Sequence, residues 1–147
     1  MRTIRVFLDT RALFTGIWSE IGGARLIIKL GEAGALAILV SPRVLIELEG
    51  AVRKKAQDLI PMLAILLERT EMEIVQEGDA IHSVETSELI SHPADAAILR
   101  AAVFPEVDYF ITLDREHFLT NQKLRDTLPF PLGTPGDFLS WYRNSLV

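Results

Sequence analysis

Three short runs of the chain, Ile4–Leu8, Leu36–Val40 and Tyr109–Leu113, are apolar with almost no alternation. A strand with one wet face alternates polar and apolar residues. A strand without alternation is covered on both sides, the signature of a parallel sheet held between helical layers. Apolar residues recur at helical spacing between these runs. Ala24–Ala33 carries Leu26, Ile27 and Leu30, with Gly34 as its stop. Ser41-Pro42 opens a second helix with an N-cap and a proline at the first helical position. It runs to about Gln57, with Val44, Leu45, Leu48, Ala51 and Val52 on one face.

The same spacing predicts a helix over Asp58–Arg69 and a short strand over Met72–Val75, and leaves Asp79–Ile90 unassigned. It predicts an Ala-rich helix over Pro93–Phe104. The turn-rich tail from Pro129 to Gly136 has room for an edge strand before a last helix at Asp137–Arg143. Alternating strands and helices imply an α/β fold whose sheet lies between helices. The 147 residues fit one domain, 1–147, long enough to bury a core. No repeat or linker divides them.

Two of the apolar runs end in acids. Ile4–Leu8 runs into Asp9, and Tyr109–Leu113 runs into Asp114. Turns favour Asp, so either acid alone carries little weight. In an open parallel sheet, however, ligands bind beyond the carboxyl ends of the strands, where both acids are expected. Asp95 opens the helix Asp95-Ala96-Ala97-Ile98-Leu99 and falls on the stripe of Ile98, Leu99 and Ala102 that faces the sheet. A first-turn acid favoured by the helix dipole is the simpler reading of it. Glu47 and Glu49 flank the apolar face of their helix on opposite sides, and periodicity does not choose between them. Carboxylates brought together repel unless a cation neutralises them. Such hard oxygen donors suit Mg²⁺ or Mn²⁺, and with them metal-assisted hydrolysis of a phosphodiester.

Bulk properties narrow the alternatives. A net charge of −5 gives no overall attraction to nucleic acid. The absence of cysteine excludes disulfides and thiolate metal sites. The first apolar run is too short for a signal peptide and no run is long enough to span a bilayer, so no membrane association and a cytoplasmic location are expected. There is no phosphate-loop sequence and no nucleophile elbow. A haloacid-dehalogenase-type phosphatase needs a second acid where Arg11 stands, and a phospho-receiver domain needs an acid where the second strand ends in Ser41. His82, His92 and His117 lack ligand spacing and are assigned ordinary roles. Trp18 and Trp141 are read as packing residues before base-stacking ones, and Arg53-Lys54-Lys55 as a solvated helix end.

The segments VFLDTRALFTG, SPRVLIELE, HPADAAILRAA and DYFITLDREHF, in this order and spacing, resemble the PIN-domain nucleases, which include the VapC-type toxins of toxin–antitoxin pairs. The resemblance covers nearly the whole chain. It implies a three-layer α/β/α, Rossmann-like single PIN-like domain with a mostly parallel central sheet. It also implies a ribonuclease dependent on Mg²⁺ or Mn²⁺, with an RNA substrate, an antitoxin partner and a homodimer. Position by position, it implies that Asp9, Glu47, Asp95 and Asp114 are the metal-binding and catalytic acids, with Glu49 a bystander. Thr112 matches the hydroxyl position behind the acids. Where many relatives carry Asn, this chain has Arg11, which either competes with a metal for Asp9 or holds a substrate phosphate. A PIN-like fold that has lost its chemistry and serves as a binding or regulatory module is the alternative that Arg11 raises.

Overall fold

In a computed structural model of the protein, residues 2–76, 93–103 and 106–146 are described. The strands are β1 (Ile4–Leu8), β2 (Leu36–Val40), β3 (Glu73–Ile74), β4 (Tyr109–Ile111) and β5 (Leu132–Gly133). The helices are α1 (Thr10–Trp18), α2 (Gly23–Glu32), α3 (Pro42–Lys55), α4 (Ile60–Thr70), α5 (Pro93–Val103), α6 (Gln122–Thr127) and α7 (Pro135–Ser145). A 3-10 turn at Gln57–Leu59 precedes α4, and a single π turn at Arg115–Leu119 follows β4.

The five strands form one sheet in the order β3-β2-β1-β4-β5, and every described pairing is parallel. The non-alternating runs account for this. Val6, Phe7 and Leu8 are fully buried, as are Leu39, Val40, Phe110 and Ile111. Burial on both faces requires helices on both, which gives the three-layer α/β/α arrangement expected from the sequence. Phe7 stacks on Phe110 across the β1–β4 pair, with ring centroids 5.5 Å apart. Burying such rings contributes about 1.5–3 kcal/mol each to the core.

Local chemistry starts the helices. Ser41 caps α3 by accepting from the Val44 N–H at 3.2 Å, and Pro42 sits at its first position. Thr134 and Asp137 form a reciprocal capping box at α7, worth about 1 kcal/mol. The structure adds elements that the sequence analysis does not anticipate, among them α1, the π turn at Arg115–Leu119 and α6 at Gln122–Thr127. Pairing of β4 stops at Ile111, two residues before Leu113, because its edge partner β5 is only two residues long. The unassigned stretch Asp79–Ile90, together with His82, His92 and Phe104, lies outside the described residues. Among the described residues no helix is long and apolar enough to cross a membrane.

The strand order sets the position of the functional region. From β1 the chain adds β2 and β3 on one side, then crosses to add β4 and β5 on the other. The crossing leaves a crevice beyond the carboxyl ends of β1 and β4, the switch point at which open parallel sheets bind ligands.

Candidate metal centre

Asp9 follows β1 and caps α1, its Oδ1 accepting from the Ala12 N–H at 2.9 Å. Its backbone N–H extends the ladder by donating to the Ile111 carbonyl at 3.1 Å. The other oxygen, Oδ2, accepts from the Thr112 hydroxyl. Thr112 is itself fully buried, and its oxygen accepts from the Asp114 N–H at 3.0 Å. A single hydroxyl thus joins the ends of β1 and β4, between the two acids that terminate the apolar runs.

Glu47 comes from the second turn of α3. The Thr10 hydroxyl donates to its Oε1 at 2.7 Å, which ties the starts of α1 and α3 together. Glu49 points elsewhere and forms an exposed i,i+4 ion pair with Arg53 at 2.9 Å. Asp95 lies on the sheet-facing stripe of α5, beside the buried Ile98, Leu99 and Ala102. Asp114 caps the π turn, its Oδ1 accepting from the His117 N–H at 3.0 Å.

Asp9, Glu47, Asp95 and Asp114 line one cleft of about 250 Å³, together with Thr10, Arg11, Phe14, Ala51, Lys55 and Ile98. They are not equally close. Among the described residues the tightest group is Asp95, Asp114 and His117, whose donor atoms all lie within 4.8 Å of one another. His117 Nδ1 is 3.0 Å from an oxygen of Asp95 and 3.0 Å from one of Asp114. Lacking ligand spacing, this histidine is assigned an ordinary role from the sequence alone, and the structure places it between two acids. Its one local signal was its place three residues after Asp114, where a cap brings the two together.

The electrostatics follow the packing. Burial raises the pKa of Asp9 from 3.8 to about 6, against the opposing hydrogen bonds from Thr112 and Ala12 and with help from the charges of Asp114 and Asp95. Burial also pushes Asp114 upward, but hydrogen bonds and charge from His117, with a contribution from Arg11, outweigh it and leave its pKa lowered. The hydrogen bond to Asp114 raises the pKa of His117. Arg11 is exposed at the cleft, and among the described residues no ion pair joins it to Asp9.

No protein-family model and no curated protein matches the chain. Solved structures do. The chain is similar to a structure of VapBC2 from Rickettsia felis bound to a DNA fragment from their promoter, with a TM-score of 0.63, 20% identity, and coverage of 89% of this chain and 98% of that one. It is also similar to PAE2754 from Pyrobaculum aerophilum, with a TM-score of 0.53, 16% identity, and coverage of 82% and 87%. At these identities the likeness is one of fold, and the fold agrees with that expected from the PIN-domain resemblance of the sequence.

Proposed function

We propose that this chain is a single-domain, PIN-like endoribonuclease that depends on Mg²⁺ or Mn²⁺ to hydrolyse RNA phosphodiesters. The observation that carries the reading is the meeting of Asp9, Glu47, Asp95 and Asp114, from four separate segments, on one cleft at the switch point. The donor set fits a hard divalent cation, being mostly carboxylate oxygen with one imidazole at its edge. Asp9, Glu47, Asp95 and Asp114 would hold it. When bound, such an ion polarises a phosphoryl oxygen and lowers the pKa of an attacking water.

The chain's own groups prepare the site. Thr112 and the Ala12 N–H fix the orientation of Asp9, Thr10 fixes Glu47, and His117 holds Asp95 and Asp114 at one distance. Groups held this way do not have to reorganise during reaction. The VapBC2 likeness adds support for a toxin role with an antitoxin partner. A homodimer and a cytoplasmic location complete the reading.

Divalent metal should raise the melting temperature, because a ligand of the native state stabilises it by mass action. At roughly 100 times Kd the gain is about 5–10 °C for a chain of this size. Asp95→Asn should remove most of that gain and the cleavage of RNA, while Glu49→Gln should keep both. Equal metal responses in the parent protein and Asp95→Asn would refute the assignment.

Arg11 motivates the second reading, a weakened nuclease that acts as a binding or regulatory module. Arg11 reaches the cleft and its charge acts on Asp114, an arrangement that favours a phosphate clamp over a blocked Asp9. Loss of a charge-assisted hydrogen bond costs about 1.5–3 kcal/mol. Arg11→Asn should therefore lower kcat/KM by roughly 10- to 100-fold with Mn²⁺ affinity unchanged. Tighter Mn²⁺ binding with faster cleavage would identify Arg11 as a competitor of the metal instead.

A further inference from the structure

The cleft changes character along its length. α1 and α3 both begin at the carboxyl edge of the sheet, where Thr10 and Glu47 meet beside the acids. Farther along the same two helices the lining becomes Phe14, Ala51 and Lys55. Phe14 and Trp18, one helical turn apart, stack with centroids 5.7 Å apart and planes at 22°. Lys55 Nζ sits 5.9 Å from the centroid of the Phe14 ring. The acidic end of the cleft thus continues into an aromatic pair flanked by a cation.

Trp18 is 55% exposed. The other tryptophan, Trp141, packs against Tyr109 and Phe138 at 5.2 and 5.8 Å. Among the described residues the outer face of Trp18 has no ring partner, its one stacking contact being with Phe14. Leaving so large an apolar ring in water forgoes about 1.5–3 kcal/mol of burial. Stacking platforms with a cation alongside are how proteins hold unpaired nucleic acid, the ring taking a base and the cation a phosphate.

We propose that Phe14, Trp18 and Lys55 form a subsite for a nucleotide flanking the scissile phosphate, the base stacking on Trp18 and a phosphate meeting Lys55. The inference rests on the ribonuclease reading and names its substrate class as unpaired RNA. Duplex RNA keeps its bases stacked within the helix and offers no free ring face. An apolar protein segment would cover Trp18 equally well, but it would leave the cation beside the pair without a counter-charge.

Replacing Trp141 with Phe leaves Trp18 as the chain's only indole, so its emission reports the subsite directly. With Asp95→Asn included to keep the probe intact, an unpaired oligoribonucleotide should quench that emission saturably, and the duplex of the same sequence should not. By fluorescence anisotropy, Trp18→Ala and Phe14→Ala should each weaken binding of the labelled probe roughly 5- to 100-fold, and Trp18→Phe should restore most of it. Lys55→Ala should reduce the salt slope by about one. Trp18 is on the surface, so its substitutions leave the fold in place. Unchanged affinity in Trp18→Ala, with RNA still cleaved by the otherwise native protein, overturns the subsite and leaves the nuclease reading standing. Absence of both binding and cleavage by the native protein with Mn²⁺ removes the nuclease reading and the subsite with it. An indole shielded by a co-purified partner protein but untouched by RNA overturns the subsite in favour of protein docking.

Discussion

Asp9 combines two demands that conflict. Its carboxylate caps α1 and binds Thr112, yet its burial makes ionisation unfavourable and raises its pKa from 3.8 to about 6. The fold therefore prefers the protonated acid. The stability this group contributes is fully present below about 3.8 and is lost as pH rises through about 6. At pH 7 without metal the buried charge costs about 2–3 kcal/mol. Asp9→Asn keeps the shape and an acceptor for Ala12 while removing the charge. In the presence of a chelator it should melt about 5–10 °C higher than the parent at pH 7 and show no such gain near pH 4. A melting curve against pH checks this, and a variant no more stable at pH 7 would contradict it. A residue that costs stability in the empty protein is suited to a cation that returns it, the usual trade between stability and function.

Among the elements, α1 carries the most for the site and was the least legible. It supplies Thr10, Arg11, Phe14 and Trp18. Its sequence, TRALFTGIW, has apolar residues on more than one face and a glycine in the middle, so the helical period is blurred. Its stability comes from tertiary contacts. Arg25 on α2 donates to the carbonyls of Gly16 and Ile17 at 2.5 and 2.8 Å, satisfying the end of α1. Gly16 lets the two helices close, because a Cβ there would lie 2.5 Å from Ile28 Cδ1 and 3.1 Å from the Ala24 carbonyl oxygen. The Ile28 side chain can turn away, but the backbone of α2 cannot. Gly16→Ala improves helix propensity by about 1 kcal/mol, yet should destabilise the protein by about 1–3 kcal/mol by forcing α1 from α2. Urea unfolding should show a lower midpoint at an unchanged m-value. A higher midpoint would mean that propensity wins.

At the level of the whole molecule, the sheet was legible because strands buried on both faces cannot hide their composition. The meeting of Asp9 and Asp114 followed from it, since β1 and β4 are neighbours with Leu8 beside Ile111. Glu47 and Glu49 were not separable by periodicity, because both flank the buried face of α3. The PIN-domain resemblance singles out Glu47, and the structure separates the pair by placing Thr10 beside Glu47 and Arg53 beside Glu49. His117 was unreadable for a different reason. Its position depends on a cap and a π turn, which leave no periodic trace.

The hydrogen bond from Thr112 to Asp9 closes a loop of 103 residues. At the speed of synthesis, about 5–20 residues per second, the first acid waits roughly 5–20 s for its hydroxyl partner to be made. Until β4 has left the ribosome and docked beside β1, Asp9 has neither Thr112 nor Asp114 at its side, and the cleft does not exist. Closing so long a loop is also a slow step of folding, since its entropy is lost before any contact is gained. The acids of the cleft are therefore not assembled until Thr112 and Asp114 have been translated and β4 has docked. The segment from Tyr109 to His117 is the last of the cleft's acid-bearing segments to be made, and it brings Asp114 and His117 to Asp95.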